Sequence, residues 1–443
     1  MPHIQNPTSL LLLLLALIPA TVLVLPASAT SRCPLHSAIA GKGFRVDLVH
    51  VDSGGNFTKL ELLQRAVKRG KQRLELFRAG AVLAAEGAGD VKEPIHAGNG
   101  EFLTSLAIGT PPVPFLAILD TGSDLIWTQC KPCKDCYDQP GPVFDPSKSS
   151  SFKKLPCASS LCKALPISKC SGDCEYLYSY GDYSTTQGVL ASETFTFGKV
   201  AVPSIGFGCG EDNEGKGFSQ GDGLMGMGWG PLSFASQLGA GKFSYCLTSL
   251  DDTSTSPLLF GSLAQLKKGL NVGSIPLIKS PAQPTYYYIS LEGISVGGKN
   301  LSIPESTFAL QDDGTGGLII DSGTSITYLE EAGYKALRKA FVSQMQLDEA
   351  DASSTGLDLC FALPSDVSTV DVPKLVFHFK GADLDLPAEN YMILDSGSGL
   401  LCLTIMDSSG LSIFGNFQQQ NMQILYDLDK KMLSFAPATC NKL

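Results

Sequence analysis

The chain of 443 residues is 44% hydrophobic and 17% charged, with 46 glycines, a make-up that supports a sizeable core and argues against a disordered protein. Its net charge of −10 is unevenly spread. Residues 1–93 hold 11 Lys/Arg and 7 Asp/Glu, leaving 22 basic and 36 acidic residues beyond them, and so acidic a body argues against nucleic acid or an anionic membrane as partner.

The chain opens with an apolar stretch from Leu10 to Leu25, broken at Pro19 and followed by the small-residue pattern Ala27-Ser28-Ala29. This predicts a signal peptide over 1–29, although residues 1–31 lack the usual basic start. A membrane anchor is the rival reading, disfavoured by the proline and the short length. Thirteen cysteines suit an exported chain: Cys33 follows the signal, and the other twelve lie between Cys130 and Cys440, an even number that can pair. Cys130, Cys133 and Cys136 have metal-like spacing, but behind a signal peptide disulfides are favoured over zinc, and only His96 and His378 lie beyond residue 93.

Residues 59–78 place apolar side chains at helical spacing and carry seven basic against two acidic residues. They predict an amphipathic basic helix, whose simplest reading is a solvated surface helix. Its place between signal and body suggests a propeptide whose charge sits against an acidic cleft. The Ala/Gly-rich residues 79–93 read as a cleavable linker. From about Gly98 short strands cut by turn residues run to Cys440, so the fold class is mainly β. One helix is expected within them, from Glu330 to Met345, with Tyr334, Leu337, Ala340, Phe341 and Met345 on one face.

Ile118-Leu119-Asp120-Thr121-Gly122-Ser123 recurs 201 residues later as Ile319-Ile320-Asp321-Ser322-Gly323-Thr324. Each copy is followed by a glycine in an apolar run, Leu224-Met225-Gly226 and Ile413-Phe414-Gly415, which implies a duplicated, pseudo-twofold architecture. An isolated Asp-Thr-Gly is commonly a surface turn; two copies in register argue otherwise. The apolar pair predicts a buried strand ending at the aspartate, the glycine permits a sharp turn, and the hydroxyls can bond the carboxylate. Two such loops facing each other would bring Asp120 and Asp321 together. Close carboxylates share a proton, so one member can draw a proton from water while the other polarises a peptide carbonyl.

These motifs resemble those of the pepsin-type aspartic proteases, whose dyad is a standard example of this chemistry. The resemblance is closer to their cysteine-rich plant, nepenthesin-like branch. It is carried by DTGSDLIWTQCKPC at 120–133, YGDYSTTQG at 180–188, FGCG at 207–210, KFSYC at 242–246, DSGTS at 321–325 and IFGNFQQQNM at 413–422, and it runs from about Gly98 to the C-terminus. The segment GFRVDLVHVDSGGNFTKLELLQRA resembles the branch's propeptide.

The resemblance implies a bilobal double β-barrel with a cleft between lobes, divided as 1–29 signal, 30–93 propeptide and linker, 94–280 N-terminal lobe with a Cys-rich insertion, and 281–443 C-terminal lobe. It implies Asp120 and Asp321 as the catalytic dyad, Ser123 and Thr324 as hydroxyls on its outer oxygens, and Gly122 and Gly323 as nearby backbone donors. Tyr180 with Gly181 matches the flap over the substrate, and Trp127 the tryptophan that steadies it. Tyr180 shares its stretch with Tyr183 and with Tyr176 and Tyr178, which alternate with it as packing tyrosines would, and Trp127 could be plain core. The resemblance also implies Cys246–Cys440 and Cys360–Cys402 in the second lobe. The remaining cysteines, Cys130, Cys133, Cys136, Cys157, Cys162, Cys170, Cys174 and Cys209, would staple an insertion in the first, with connectivity open. Asn300 and Asn56 head glycosylation sequons.

The expected function is a secreted aspartic endopeptidase made as a zymogen, acting at acidic pH beside hydrophobic or aromatic residues. Its expected partners are polypeptide substrates and its own propeptide, with no cofactor, metal, nucleic acid or membrane, as a monomer. No saposin-like insert fits the length, which points to the extracellular space or apoplast, with the vacuole as alternative. The competing readings are a relative that inhibits microbial glycosidases, and a two-carboxylate glycosidase, which only Trp127 and Trp229 could serve by stacking.

Overall fold

The computed structural model describes residues 41–85, 101–180, 184–215, 217–267, 271–364 and 370–443; the expected signal peptide and Gly181 lie outside the described residues. Strand β1 (Phe44–His50) turns Phe44, Val46 and Leu48 inward between exposed Arg45, Asp47 and Val49, the period of a strand with one buried face. Helix α1 (Lys59–Ala85) starts in a capping box: Thr58 N donates to Glu61 Oε2 at 2.8 Å, and Glu61 N to Thr58 Oγ1 at 3.2 Å.

Helix α1 departs from the sequence expectation at its end and from the solvated-helix alternative along its face. It runs on to Ala85, through the start of the expected linker. It is also not a solvated helix: Leu62, Leu63, Ala66, Val67, Leu74 and Phe77 form a buried stripe, and Arg69 and Arg73 are buried within that face. The stripe joins a cluster with Tyr286, Ile319, Ile326, Tyr328, Leu357 and Ile393. Burying each large apolar side chain contributes about 1.5–3 kcal/mol, so apolar contact, not charge, supplies most of the docking.

The body that follows repeats one plan. In the first half β2 (Phe102–Ile108) leads into β3 (Val113–Asp120), then β4 (Trp127–Gln129), β5 (Cys174–Ser179), β6 (Thr185–Phe197), β7 (Val200–Glu214) and β8 (Gly223–Gly226). Strand β8 lies parallel to β3, from Gly223 opposite Ala117 to Gly226 opposite Asp120, and antiparallel to β4. Between the halves come β9 (Lys242–Cys246) and β10 (Ser256–Phe260). The second half has β11 (Leu318–Ile320), β12 (Thr327–Glu330), α2 (Glu331–Gln344), β13 (Ser412–Phe414), β14 (Met422–Asp427) and β15 (Met432–Pro437). There β13 lies parallel to β11, with Leu318 opposite Ser412 and Ile320 opposite Phe414, and antiparallel to β12. The same three-strand arrangement thus ends at each aspartate. Helix α2 buries Tyr334, Leu337 and Phe341, the face its spacing predicts, and Glu330 caps it.

Gly226 and Gly415 do matched work. A Cβ on Gly226 would stand 2.3 Å from the Asp124 carbonyl carbon, and one on Gly415 2.3 Å from that of Ile326, so each glycine lets the loop after the aspartate cross tightly. One continuous sheet joins the halves in the order β15, β14, β9, β10, β1, β2, β3, so the strand nearest the described N-terminus lies at its middle. The fold is mainly β, pepsin-like, with pseudo-twofold halves. Among the described residues, six disulfides pair Cys130–Cys209, Cys133–Cys136, Cys157–Cys170, Cys162–Cys174, Cys246–Cys440 and Cys360–Cys402. Cys246 lies at the end of β9, so its bridge to Cys440 fastens the joining sheet to the C-terminus. No helix among the described residues is long and apolar enough to cross a membrane.

Candidate active site

Asp120 ends β3 and Asp321 follows β11; both are fully buried. Each carboxyl is gripped by its own turn: Gly122 N donates to Asp120 Oδ1 at 2.9 Å, and Gly323 N to Asp321 Oδ1 at 3.1 Å. Thr121 crosses between the loops, donating to Asp321 Oδ1 at 3.0 Å and accepting from Ser322 N at 2.9 Å. A Cβ on Gly122 would lie 3.4 Å from Oδ1 of both aspartates, which shows how closely the carboxyls converge. Thr324 Oγ1 donates to Asp321 Oδ2 at 2.6 Å. Ser123, its counterpart, is buried beside Asp120 and draws its pKa down, but its Oγ makes no hydrogen bond of good geometry.

Between the carboxyls lies Arg73 of α1, wholly buried. Its Nε donates to Asp321 Oδ2 at 2.7 Å and its Nη2 to Asp321 Oδ1 at 3.1 Å and to Asp120 Oδ1. A Cβ on Gly122 would stand 2.5 Å from Arg73 Nη2, and one on Gly323 2.7 Å from Cζ, so only glycines allow this approach. Burial pushes the Asp120 carboxyl above its ordinary range, as does neighbouring Asp321, against the pull of Arg73. Burial acts on Asp321 in the same direction, but the charge and hydrogen bonds of Arg73, with those of Thr324 and Gly323, hold it below. Burial disfavours the Arg73 charge, and the two carboxylates outweigh that and hold its pKa above the usual arginine value.

One turn earlier Arg69 organises a second ionic cluster. Its Nη2 lies 2.7 Å from Asp52 Oδ2, and its Nε donates to Glu101 Oε1 at 2.7 Å. Arg65 Nε donates to Asp52 Oδ1 at 2.7 Å, and His50 Nε2 lies 3.1 Å from Glu101 Oε2. Burial alone would raise the Glu101 pKa; the charge of Arg69 and the bonds from His50 and Arg69 instead lower it to about 2.

Tyr180 closes the hairpin before β6, donating its N–H to Ser184 O at 2.8 Å, and its ring is buried 6.4 Å from that of Trp127. Phe218 stands between them, 4.8 Å from each ring. Asn300 is exposed on a short strand. His378 Nε2 lies 3.0 Å from Ser295 Oγ and its Nδ1 2.8 Å from Asp383 Oδ1. These three face one another from adjacent strands, with Ser295 inside the ladder and paired on both sides.

Sequence reasoning anticipated a basic helix against an acidic body but missed Arg69, Arg73, Asp52, His50, Glu101 and Phe218. Arg65, Arg69 and Arg73 recur every fourth residue beside the apolar stripe, the one local signal that could have singled them out.

Two buried carboxyls thus converge from matched loops, each following a strand that lies parallel to a later glycine-bearing or glycine-ended strand. Family models described as xylanase inhibitor N-terminal and xylanase inhibitor C-terminal match residues 102–262 and 286–437. Aspartic proteinase nepenthesin-2 of Nepenthes gracilis is 52% identical over 428 residues, spanning 95% of this chain and 96% of that protein. Nepenthesin-1 of Nepenthes gracilis is 51% identical over 440 residues, spanning 98% and 99%. The crystal structure of edgp superposes with a TM-score of 0.63 at 20% identity over 79% of this chain and 95% of its own, a likeness of fold. The chain belongs to the nepenthesin-type aspartic proteinases and is an aspartic-type endopeptidase.

Proposed function

We propose that the chain is the zymogen of a secreted endopeptidase that works at acidic pH, with Asp120 and Asp321 as its catalytic pair and the segment carrying β1 and α1 as its propeptide. The observation that carries this reading is Arg73, seated on both carboxyls where substrate and water would have to act. Once α1 leaves, Asp120 and Asp321 share a proton. The ionised member takes a proton from water as the protonated one polarises the scissile carbonyl, giving a tetrahedral intermediate without an acyl-enzyme. The amides of Gly122 and Gly323 hold the inner oxygens in place. Tyr180 is the flap residue, braced by Trp127 through Phe218.

A preference for hydrophobic or aromatic residues fits the wall that α1 covers. Phe77 meets the edge of Tyr286 at 5.4 Å, and Tyr288, Tyr328 and Ile393 belong to the same cluster. Acid release follows from linkage. Glu101 is held below its ordinary pKa, so its contribution to the closed form is complete above about pH 4.5 and is lost as pH falls towards 2. Loss of the Asp321 carboxylate charge at low pH also loosens Arg73.

The test is an acid shift of the purified chain with a denatured protein substrate, with and without pepstatin. Cleavage that appears on acidification, is blocked by pepstatin and is absent from Asp120→Asn is expected. Cleavage retained by that variant removes the dyad assignment. Tight binding to a glycosidase without proteolysis at any acidic pH would favour an inhibitor, the activity named in the matching family descriptions.

A further inference from the structure

Asp124 is a further buried carboxyl, four residues after Asp120, and the dyad chemistry does not use it. Its side chain sits in a cage of alternating glycines from the segment Gly226-Met227-Gly228-Trp229-Gly230. A Cβ on Gly228 would stand 2.4 Å from Asp124 Oδ1, and one on Gly230 1.8 Å from Oδ2, so no other residue leaves room for the carboxyl. Gly230 N donates to Oδ1 at 2.9 Å, and Thr285 Oγ1, from the second half, donates to Oδ2 at 2.8 Å. The same segment holds the dyad loop by its backbone: Met227 N donates to Asp120 O at 2.7 Å and Gly228 N to Ser123 O at 2.8 Å. It is fixed to the second half as well, where Trp229 N donates to Thr285 O and Tyr287 Oη to Met227 O, both at 2.8 Å. The counterpart of Asp124 in the second motif is Ser325, whose hydroxyl turns instead to Ala66 O of α1 at 2.6 Å. The link from the dyad loop through a carboxyl to the other half is therefore made on one side of the pseudo-twofold.

We infer that Asp124 is a positioning residue for peptide hydrolysis, tying the Asp120 loop to Gly230 and across to Thr285 so that Asp120 is held at its working distance from Asp321. The inference rests on the endopeptidase activity. Burial, with a lesser push from Asp120, raises the Asp124 carboxyl to about 6 against the bonds from Thr285 and Gly230 and the charge of Lys279. The other titratable groups facing it are Tyr178 and Tyr287, both neutral because burial holds them well above their ordinary value. In an acid-acting enzyme Asp124 is accordingly neutral and works through hydrogen bonds, and asparagine is its neutral mimic: the amide oxygen can accept from Gly230 and the amide nitrogen can donate to Thr285.

The experiment compares wild type, Asp124→Ala, Asp124→Asn and Thr285→Val as full chains processed in acid, measuring kcat and KM on a peptide substrate from pH 3 to 7, with Asp120→Asn alongside. Asp124→Ala is expected to lower kcat about tenfold or more with KM within about twofold, the mark of a misplaced catalytic group. Asp124→Asn should restore most of kcat at pH 4 and diverge from wild type only above about pH 6, where wild type gains a charge that the amide lacks. Thr285→Val should lower kcat about threefold. A folded Asp124→Ala with wild-type kcat across this range overturns the inference, as does an Asp124→Asn as slow as Asp124→Ala at pH 4. If Asp124→Ala does not fold, Thr285→Val decides: wild-type kcat in that variant overturns it. An inactive wild type would instead count against the endopeptidase activity itself.

Discussion

The two aspartate loops share a backbone and differ in company. Each follows a strand lying parallel to a later glycine strand, and each closes on its carboxyl with a glycine amide. Yet Thr324 bonds Asp321 while Ser123 leaves Asp120 without an equivalent bond, and Arg73 donates twice to Asp321 and once to Asp120. The two carboxyls are pushed in opposite directions as a result, Asp120 upward and Asp321 downward. Duplication places the pair, and the side chains around each copy decide which member holds the proton while α1 is in place. Symmetry of backbone and asymmetry of charge are separate properties here, and they can be tested separately.

The largest expected effect ignores the asymmetry. Asp120→Asn and Asp321→Asn should each lower the rate of peptide cleavage by about four orders of magnitude or more, because the pair acts as a unit; a large difference between them in a substrate-cleavage assay would mean the halves do not share the work. Next comes Arg73→Ala, which leaves two buried carboxyls without their cation and should destabilise the closed chain by about 3–5 kcal/mol. A milder acid step should then suffice, seen as cleavage that begins at higher pH than in wild type when fresh protein is acidified in small steps. Arg69→Gln should come third. Glu101 contributes roughly 3 kcal/mol above its ordinary pKa, lost on acidification towards pH 2. Thermal unfolding between pH 3 and 6 should therefore be flatter in the variant than in wild type. The smallest is Gly70→Ala, whose Cβ would stand 2.4 Å from Ser325 Oγ and 2.8 Å from Tyr328 Oη. The crowding should cost about 1–3 kcal/mol, partly offset by about 1 kcal/mol of helix propensity. Acid activation should quicken a few-fold, and an unchanged rate would show that the second loop does not set the seating of α1.

Much of this site was legible in the sequence because its chemistry leaves short, repeated traces. An aspartate at the end of an apolar strand, a glycine that lets the chain turn, and a second glycine a hundred residues on are each local requirements, and their recurrence gave the pseudo-twofold. The arginine contacts leave no such trace: Arg73 meets Asp321 across 248 residues of chain, and the sequence around either reads as an ordinary charge. A helix with seven basic residues announces its charge, and only the four-residue spacing of Arg65, Arg69 and Arg73 hints at which of them lie along its apolar stripe. Phe218 was invisible for the same reason, a single aromatic outside any motif. Asp124 lay inside a quoted motif and was still passed over, since its meaning depends on three glycines and a threonine brought to it by the fold.

Strand β1 gives the proposed processing of this chain a topological side. It hydrogen-bonds to β10 on one edge and β2 on the other, in the middle of the sheet that joins the halves. Cutting the chain between α1 and β2 does not expel it; the severed strand keeps both ladders. Its departure would open a slot about 10 Å wide, two strand spacings, bordered by two rows of unpaired amides and carbonyls. Such a slot attracts any free extended segment, including one from a neighbouring molecule. If the chain is processed as proposed, maturation would then be a strand exchange as much as a cleavage.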